Sequence, residues 1–552
     1  MKKSILTAIA VSAISLITAC SAATSGTTGD KNTNQSKTSV KETAVEPLKI
    51  LNGPNITLVA KEEKQEIGNG VVVPVWTFNG SAPGPEIRVK KGEKVKITLK
   101  NELPVPVSIH WHGYPVPNNM DGIPGVTQDA VMPGKSFTYE FTANTPGTYW
   151  YHSHQDSVNQ LDRGLYGSLV VEDPAEKYDK DYTLMLDEWV TDKKEIDEQI
   201  KEMTQSTKDE KSDTSNEHSG MNMDGMTDED MKGMDHSGMN MNSDNDTTGS
   251  NDMNMNGMNM QGHDMSMYDL FTINGKSGDL VKSLKVKEGD KVRLRFVNAG
   301  YLSHNIHIHG QDIKVIATDG QPINNPTEVK DQLLAIAPGE RYDVEFTANN
   351  PGKWYIESHD DMEDSKGMKA VIEYEGSKEM TDKANENEDL PKIDLTTYGT
   401  KKVGTFTLDQ QYDVNYTMDL NTQMDGENMV YTINGKTFPD TESIQVKKGD
   451  LVKVKLKNNS ATDDHPMHLH GHFFQVLSKN GKPVEGSPIV KDTLNLKPGE
   501  EYEVAFVADN PGEWMFHCHD LHHASAGMVT EVKYTDYQSD YKPNPDVPNM
   551  PE

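Results

Sequence analysis

The sequence predicts an all-β chain of three Greek-key β-sandwiches. Three observations carry this: a threefold internal repeat, short runs of alternating apolar and polar residues, and Gly, Pro and Asn at the ends of those runs. Val89–Asn101 recurs as Val286–Asn298 and again as Val446–Asn458. Further along each copy, Pro133–His154 recurs as Pro338–His359 and Pro498–His519. Alternation with period two marks half-buried strands, because successive side chains point to opposite faces of a sheet. The sandwiches are predicted at 46–175, 178–380 and 400–536. Acidic, proline-containing linkers fall near Asp173-Pro174 and from Glu386 to Pro391.

The 552 residues exceed one ordinary domain. A formal charge of -32 excludes nucleic acid as a partner and suits cations. Two cysteines cannot build a disulfide framework, so each needs its own explanation. Met1-Lys2-Lys3 and the apolar run Ile5 to Ala19 read as a secretory signal over 1–19, too short for a lasting membrane span. The run ends Leu16-Ile17-Thr18-Ala19-Cys20, which resembles the bacterial lipobox, and that resemblance implies lipidation of Cys20. Residues 20–45, rich in Ser, Thr, Gly, Asn and Lys, cannot bury a core and form a flexible tether of about 25–30 Å reach. The chain is thus expected outside the cytoplasm, held to the bacterial cell membrane by lipid alone, as a monomer.

The second copy carries an insertion over 196–267. Its strand pattern gives way to Asp, Asn, Ser, Gly and Met, and thirteen of the 28 methionines lie between His218 and Met267. Such a composition forbids a packed core, and disorder is expected there without metal.

Histidines then fall on the repeat in register. The first copy has His110-Trp111-His112 and His152-Ser153-His154; the third has His465-Pro466-Met467-His468-Leu469-His470 and His517-Cys518-His519. Histidines at i and i+2 on a strand share a face and can address one metal cluster. A lone histidine is usually a satisfied core or surface residue. Four pairs at equivalent places, one enclosing a cysteine, are not explained that way. A structural zinc site takes four ligands rich in Cys, whereas here one Cys meets a surplus of His. Two imidazoles, a thiolate and a weak thioether make a blue-copper centre, and Cys518, His523 and Met528 follow that recipe.

These four clusters resemble the copper signatures of the multicopper oxidases, the family of laccases, ferroxidases and cuprous oxidases. The resemblance runs from about residue 46 to 536 and implies three cupredoxin-like domains and four copper ions. It places type 1 copper on His465, Cys518, His523 and axial Met528, and type 2 copper on His110 and His468. The type 3 pair would share His112, His152, His154, His470, His517 and His519, with the division between the two ions left open. Copy one has Val107 where copy three has His465, and Ser153 in place of Cys518, so it can share a cluster but cannot hold a blue copper. Asp121, eleven residues after His110, matches an acid that delivers protons in bacterial relatives. Where many of those relatives have Glu after the last type 1 histidine, this chain has Ala524 and then Ser525, and Asp520 is a weak stand-in for the second proton relay.

The middle copy departs from the pattern. His304, His307 and His309 keep the spacing of His465, His468 and His470, and His359 matches His519. Ser358 and Glu357 replace the cysteine and the first cluster histidine. The sequence leaves two readings of this set, a vestige of duplication or an auxiliary metal site.

The resemblance implies an oxidoreductase that couples one-electron oxidation of a substrate to four-electron reduction of O2 to water. Thioethers select Cu(I) over harder ions. Met221, Met223, Met226, Met239, Met241, Met253, Met255, Met258 and Met260, with Asp463 and Asp464 beside His465, therefore point to Cu(I) and to copper tolerance. The alternatives are a laccase-like oxidase of phenols and a surface copper-sequestration protein. A copper nitrite reductase is disfavoured, since its cysteine site lacks flanking cluster histidines.

Overall fold

The computed structural model describes residues 48–551, apart from 192–266, 382–388 and the single positions 69, 361 and 427. The signal, Cys20, the whole tether and all of the methionine-rich insertion before Met267 lie outside the described residues. Among the described residues no helix is long and apolar enough to cross a membrane.

Six sheets come in three successive pairs: four and four strands between residues 50 and 172, six and five between 180 and 374, and seven and five between 414 and 534. The first repeated motif forms the centre of one sheet in every pair, as Lys94–Asn101, Lys291–Asn298 and Leu451–Asn458. Each of these strands runs parallel to the first long strand of its pair and antiparallel to the start of the second motif. For the third pair those partners are Val414–Asp425 and Glu501–Val507. Parallel neighbours cannot be joined by a hairpin, and in each pair the chain crosses through a strand of the other sheet between them. The alternation works as expected: in Lys94–Asn101, Val95, Ile97 and Leu99 are buried while Lys94, Lys96 and Lys100 face water.

The motif ends on an asparagine with a repeated structural task. Asn101, Asn298 and Asn458 are buried, and each Nδ2 donates to two carbonyls. For Asn458 these are Asp463 at 2.7 Å and Leu496 at 2.9 Å, while its Oδ1 accepts from the Ser460 amide. The loop so pinned leads directly into His465–Leu469. One side chain meets three backbone polar groups that would otherwise be buried unpaired, each at a cost of about 1–3 kcal/mol.

Two α-helices occur among the described residues, Ser157–Asp162 and Leu521–Ser525, and they pack together. The second is capped by Asp520, whose carboxylate accepts from the His522 and His523 amides. Beyond the third sandwich, Tyr541 to Pro551 runs back over the first. Asp129 accepts from Tyr541 Oη at 2.6 Å and the Asn544 amide at 3.0 Å, and Asn549 Oδ1 accepts from the Ala130 amide at 2.8 Å.

Candidate metal centres

The pairing of two strands separates the third sandwich's ligands into two groups. Antiparallel Glu513–Cys518 and His465–Leu469 place Met467 opposite Cys518 and His468 opposite His517. Alternation therefore sends Cys518 into the apolar core with Met467 and Met528, and sends His517 and His519 to the other face.

On the core side, Cys518 Sγ lies 3.8 Å from His465 Nδ1 and 3.6 Å from His523 Nδ1, and the two nitrogens are 3.2 Å apart. Met528 is fully buried, and its backbone locks the group: the Cys518 amide donates to the Met528 carbonyl and the Met528 amide to the His523 carbonyl. Burial first, then its neighbour His523, lowers His465 to about 3, and burial lowers His523 to about 4. Both rings are neutral near pH 7 and able to ligate. His523 is 8% exposed and His465 is 0% exposed, so His523 is the edge that an outside reductant reaches. Tyr431 stacks on the His523 ring at 3.9 Å.

On the other face, histidines of the first and third sandwiches interdigitate. Their nitrogens converge in three sets, two of which share His112: His112, His152 and His519; His154, His470 and His517; and His110, His112 and His468, each set within 4.8 Å. His110 stacks on His470 at 4.0 Å and His112 on His468 at 3.8 Å. Backbone carbonyls fix the tautomers, because a carbonyl only accepts. Nδ1 donates from His110 to Asp121, from His152 to Ser153, from His468 to Asp492, and from His517 to Cys518, at 2.9–3.1 Å. His154 Nδ1 donates to the Pro551 carbonyl at 2.5 Å, so the C-terminal segment orients a cluster histidine. Burial, and next the neighbouring imidazoles, push His112, His152, His470, His517 and His519 well below the usual imidazole range.

The nitrogens turned inward fit metal. Nε2 of His110, His152, His468 and His519 and Nδ1 of His112 are buried with no hydrogen-bond partner. An orphaned buried nitrogen is costly, and five aimed into one space are explained by ions that take their lone pairs. Neutral imidazoles with one thiolate are copper ligands by chemistry.

The residues around the ligands were only partly visible in the sequence. Asp121 is 1% exposed; its Oδ2 accepts from His470 Nδ1 at 2.9 Å and its Oδ1 lies 3.2 Å from His110 Nδ1. It touches one histidine of each of two sets. Asp520 caps a helix and lies 3.3 Å from His523 Nε2, so it serves the Cys518 group and not the far cluster. Asp463 and Asp464 are half-buried and engaged, by Thr422 Oγ1 at 2.6 Å and Asn495 Nδ2 at 2.9 Å.

Arg341 escaped sequence reasoning altogether. It begins a strand of the middle sandwich, is fully buried, and grips both oxygens of Asp492 in the third sandwich at 2.7 and 2.6 Å. Its Nε reaches the Thr148 carbonyl of the first. Burial would raise the Asp492 carboxyl, but the guanidinium outweighs it and holds the group ionised. Asp492 Oδ1 in turn lies 3.3 Å from His112 Nε2 and 3.4 Å from His468 Nδ1, and Thr493 Oγ1 lies 3.1 Å from each. One middle-sandwich cation thus braces a histidine from each of the other two. Two glycines permit the approach. A Cβ on Gly339 would come within 2.9 Å of the His519 ring, and one on Gly113 within 2.2 Å of Arg341 Nη2, both at positive φ.

Comparison with known proteins agrees with this geometry. Three family profiles described as multicopper oxidase match residues 60–176, 180–377 and 408–538. A multicopper oxidase of Mycobacterium tuberculosis is 30% identical over 87% of this chain and 86% of its own. Copper resistance protein A of Pseudomonas syringae pv. tomato is 26% identical, covering 88% of this chain and 93% of that one. The multi-copper oxidase of Pseudomonas thermotolerans superposes with a TM-score of 0.61 at 24% identity, covering 88% of this chain and all of that one. The Botrytis aclada laccase gives 0.64 at 22%, covering 89% of each. The chain belongs to the multicopper oxidase family, copper-dependent oxidoreductases that hold four copper ions and pass electrons from a reductant to O2.

Proposed function

We propose that this oxidase acts on Cu(I) and serves copper tolerance outside the cytoplasm. The observation that carries the reading is where the methionine-rich insertion is rooted. Thr191, the last described residue before it, follows the strand Lys180–Trp189 of the middle sandwich, and Met267, its final residue, packs on that core. The next residue, Tyr268, donates to Asp162 at 2.8 Å and lies 3.1 Å from His522 Nε2. His522 is the immediate neighbour of His523, the reachable edge of the Cys518 group. A segment holding thirteen methionines therefore ends at a residue linked to that edge through Tyr268, one hydrogen bond and His522. The relative named copper resistance protein A supports the same reading.

In this proposal type 1 copper is held by His465, Cys518, His523 and Met528, and type 2 by His110 and His468. The type 3 ions divide between His112, His152 and His519 on one side and His154, His470 and His517 on the other, following the convergent sets. Copper bound there supplies one-electron oxidation at the first group and four-electron reduction of O2 at the second. The chain's own residues do the rest. Cys518 is joined by single peptide bonds to His517 and His519, so an unbroken covalent path links the two groups. Asp121, buried against His110 and His470, orients both rings and is placed to hold a proton beside the cluster. Arg341 and Asp492 fix His112 and His468 and so set ligand geometry. Lipid anchoring through Cys20, a monomeric state, and the domain limits 46–175, 178–380 and 400–536 belong to the same proposal.

The test compares O2 uptake with Cu(I), Fe(II) and a phenol, in the full chain and in a variant lacking residues 196–267. Loss of the insertion lowers kcat/KM for Cu(I) about ten-fold or more, the scale on which outer-shell partners act at a metal site. Phenol oxidation stays level or rises. Unchanged Cu(I) kinetics at low free copper would sink the cuprous reading and favour a phenol oxidase.

A further inference from the structure

The middle sandwich holds a third histidine group that the family chemistry leaves unused. His307 and His309 stand at the end of the strand His304–Ile308, and His359 directly follows the strand Lys353–Ser358. The two strands pair antiparallel, His307 opposite Glu357, and the His359 amide donates to the Asn305 carbonyl at 2.8 Å. Spacing of i and i+2 puts His307 and His309 on one face, and the register carries His359 over it.

The three rings converge. Centroids lie 4.0 Å apart for His307 and His309, 5.0 Å for His307 and His359, and 5.6 Å for His309 and His359. One nitrogen from each falls within 4.8 Å of the others, with His309 Nε2 and His359 Nε2 at 3.5 Å. His307 is 3% exposed, and neither of its ring nitrogens has a hydrogen-bond partner. Carboxylates complete the surroundings. Glu357 Oε1 lies 3.2 Å from His309 Nε2, and its other oxygen pairs with Lys369 Nζ at 2.8 Å. Asp331 Oδ1 lies 3.7 Å from His307 Nε2. Half-buried His359 and half-exposed Asp331 form the solvent-facing edge of the group.

We propose that His307, His309 and His359, with Glu357 as the charged neighbour, bind a further divalent metal ion, Cu(II) by preference. Three imidazoles beside a carboxylate suit Cu(II) or Zn(II), and for one ligand set the affinity order favours Cu(II). The site is not a second blue centre. Its cysteine position is Ser358, and His304, which keeps the spacing of His465, is clamped between Glu188 and Asp360 and lies outside the convergent group.

The holoenzyme of the full chain, loaded with Cu(II) and desalted, decides the question when set against His307→Gln and, separately, His359→Gln. The second variant lies at the half-buried edge and keeps the test open if the first fails to fold. Each variant loses about one copper per chain and one nitrogen-ligated Cu(II) signal in electron paramagnetic resonance, while the blue absorbance stays intact. Equal copper content in the full chain and in blue His359→Gln overturns the site. Zn(II) displacing the extra ion from an equimolar mixture overturns its assignment to copper. Neither outcome depends on whether Cu(I) is the substrate, because no turnover is measured.

Discussion

The middle and third sandwiches present the same histidine spacing and put it to different uses. His465, His468 and His470 are matched by His304, His307 and His309, on strands paired to the same neighbours in the same register. In the third sandwich the first histidine meets Cys518 and His523. In the middle sandwich it meets Glu188 on one nitrogen and Asp360 on the other. The difference teaches that strand spacing presents a ligand, while the residue facing it decides whether it can ligate. Burial lowers His465 to about 3 and leaves it neutral; at His304 burial is overcome by Glu188 and Asp360, which raise it to about 10. A protonated imidazole has no lone pair to give.

The largest effect comes from erasing the contrast at its source. Cys518→Ser gives the third sandwich the residue that the middle one already has, and both blue absorbance and oxidase activity fall to background. The converse, Ser358→Cys, adds no second blue band, because His304 stays protonated between its carboxylates. A new band in that variant would break the comparison.

Next in size is the brace by which the middle sandwich serves the other two. Arg341→Met leaves Asp492 buried and unpaired, a loss of about 3–5 kcal/mol in stability by denaturant unfolding. It also loosens His112 and His468, and copper affinity at the cluster falls about 10–100-fold. Asp121→Asn is smaller and more selective. It keeps the fold and the blue absorbance, and slows O2 uptake about 10–100-fold. An unchanged rate would remove Asp121 from proton delivery.

Much of the site was legible because it is local. Histidines at i and i+2 share a face on any strand, and a repeat aligns the faces without coordinates. The grouping proposed for the type 3 ions was not legible, since it depends on how His112 and His152 of one sandwich meet His519 of another. Arg341 left a faint trace: it stands where the other copies have Ser136 and Glu501, an arginine opening a strand whose surroundings are all core. The segment from Tyr541 to Pro551 left none. Its asparagines, prolines and lone aspartate show no period, and it is held by scattered hydrogen bonds to Asp129, Gln155 and His154. The paired acids Asp463 and Asp464 read as a docking point, yet each carboxylate accepts from a neighbour, Thr422 and Asn495.

The smallest effect isolates the His304 clamp itself. Its folded value of about 10 lies above the ordinary 6.5, so the folded chain holds this proton more tightly than the unfolded one. The stabilisation is therefore fully present below about pH 6.5 and is lost as pH rises through about 10. Glu188→Gln removes the stronger partner and with it the reason for the shift. The melting temperature of the native chain then falls more steeply than that of the variant between those two pH values. Parallel curves would mean that His304 is neutral in the fold, and the Ser358→Cys variant would then have a ligand within reach.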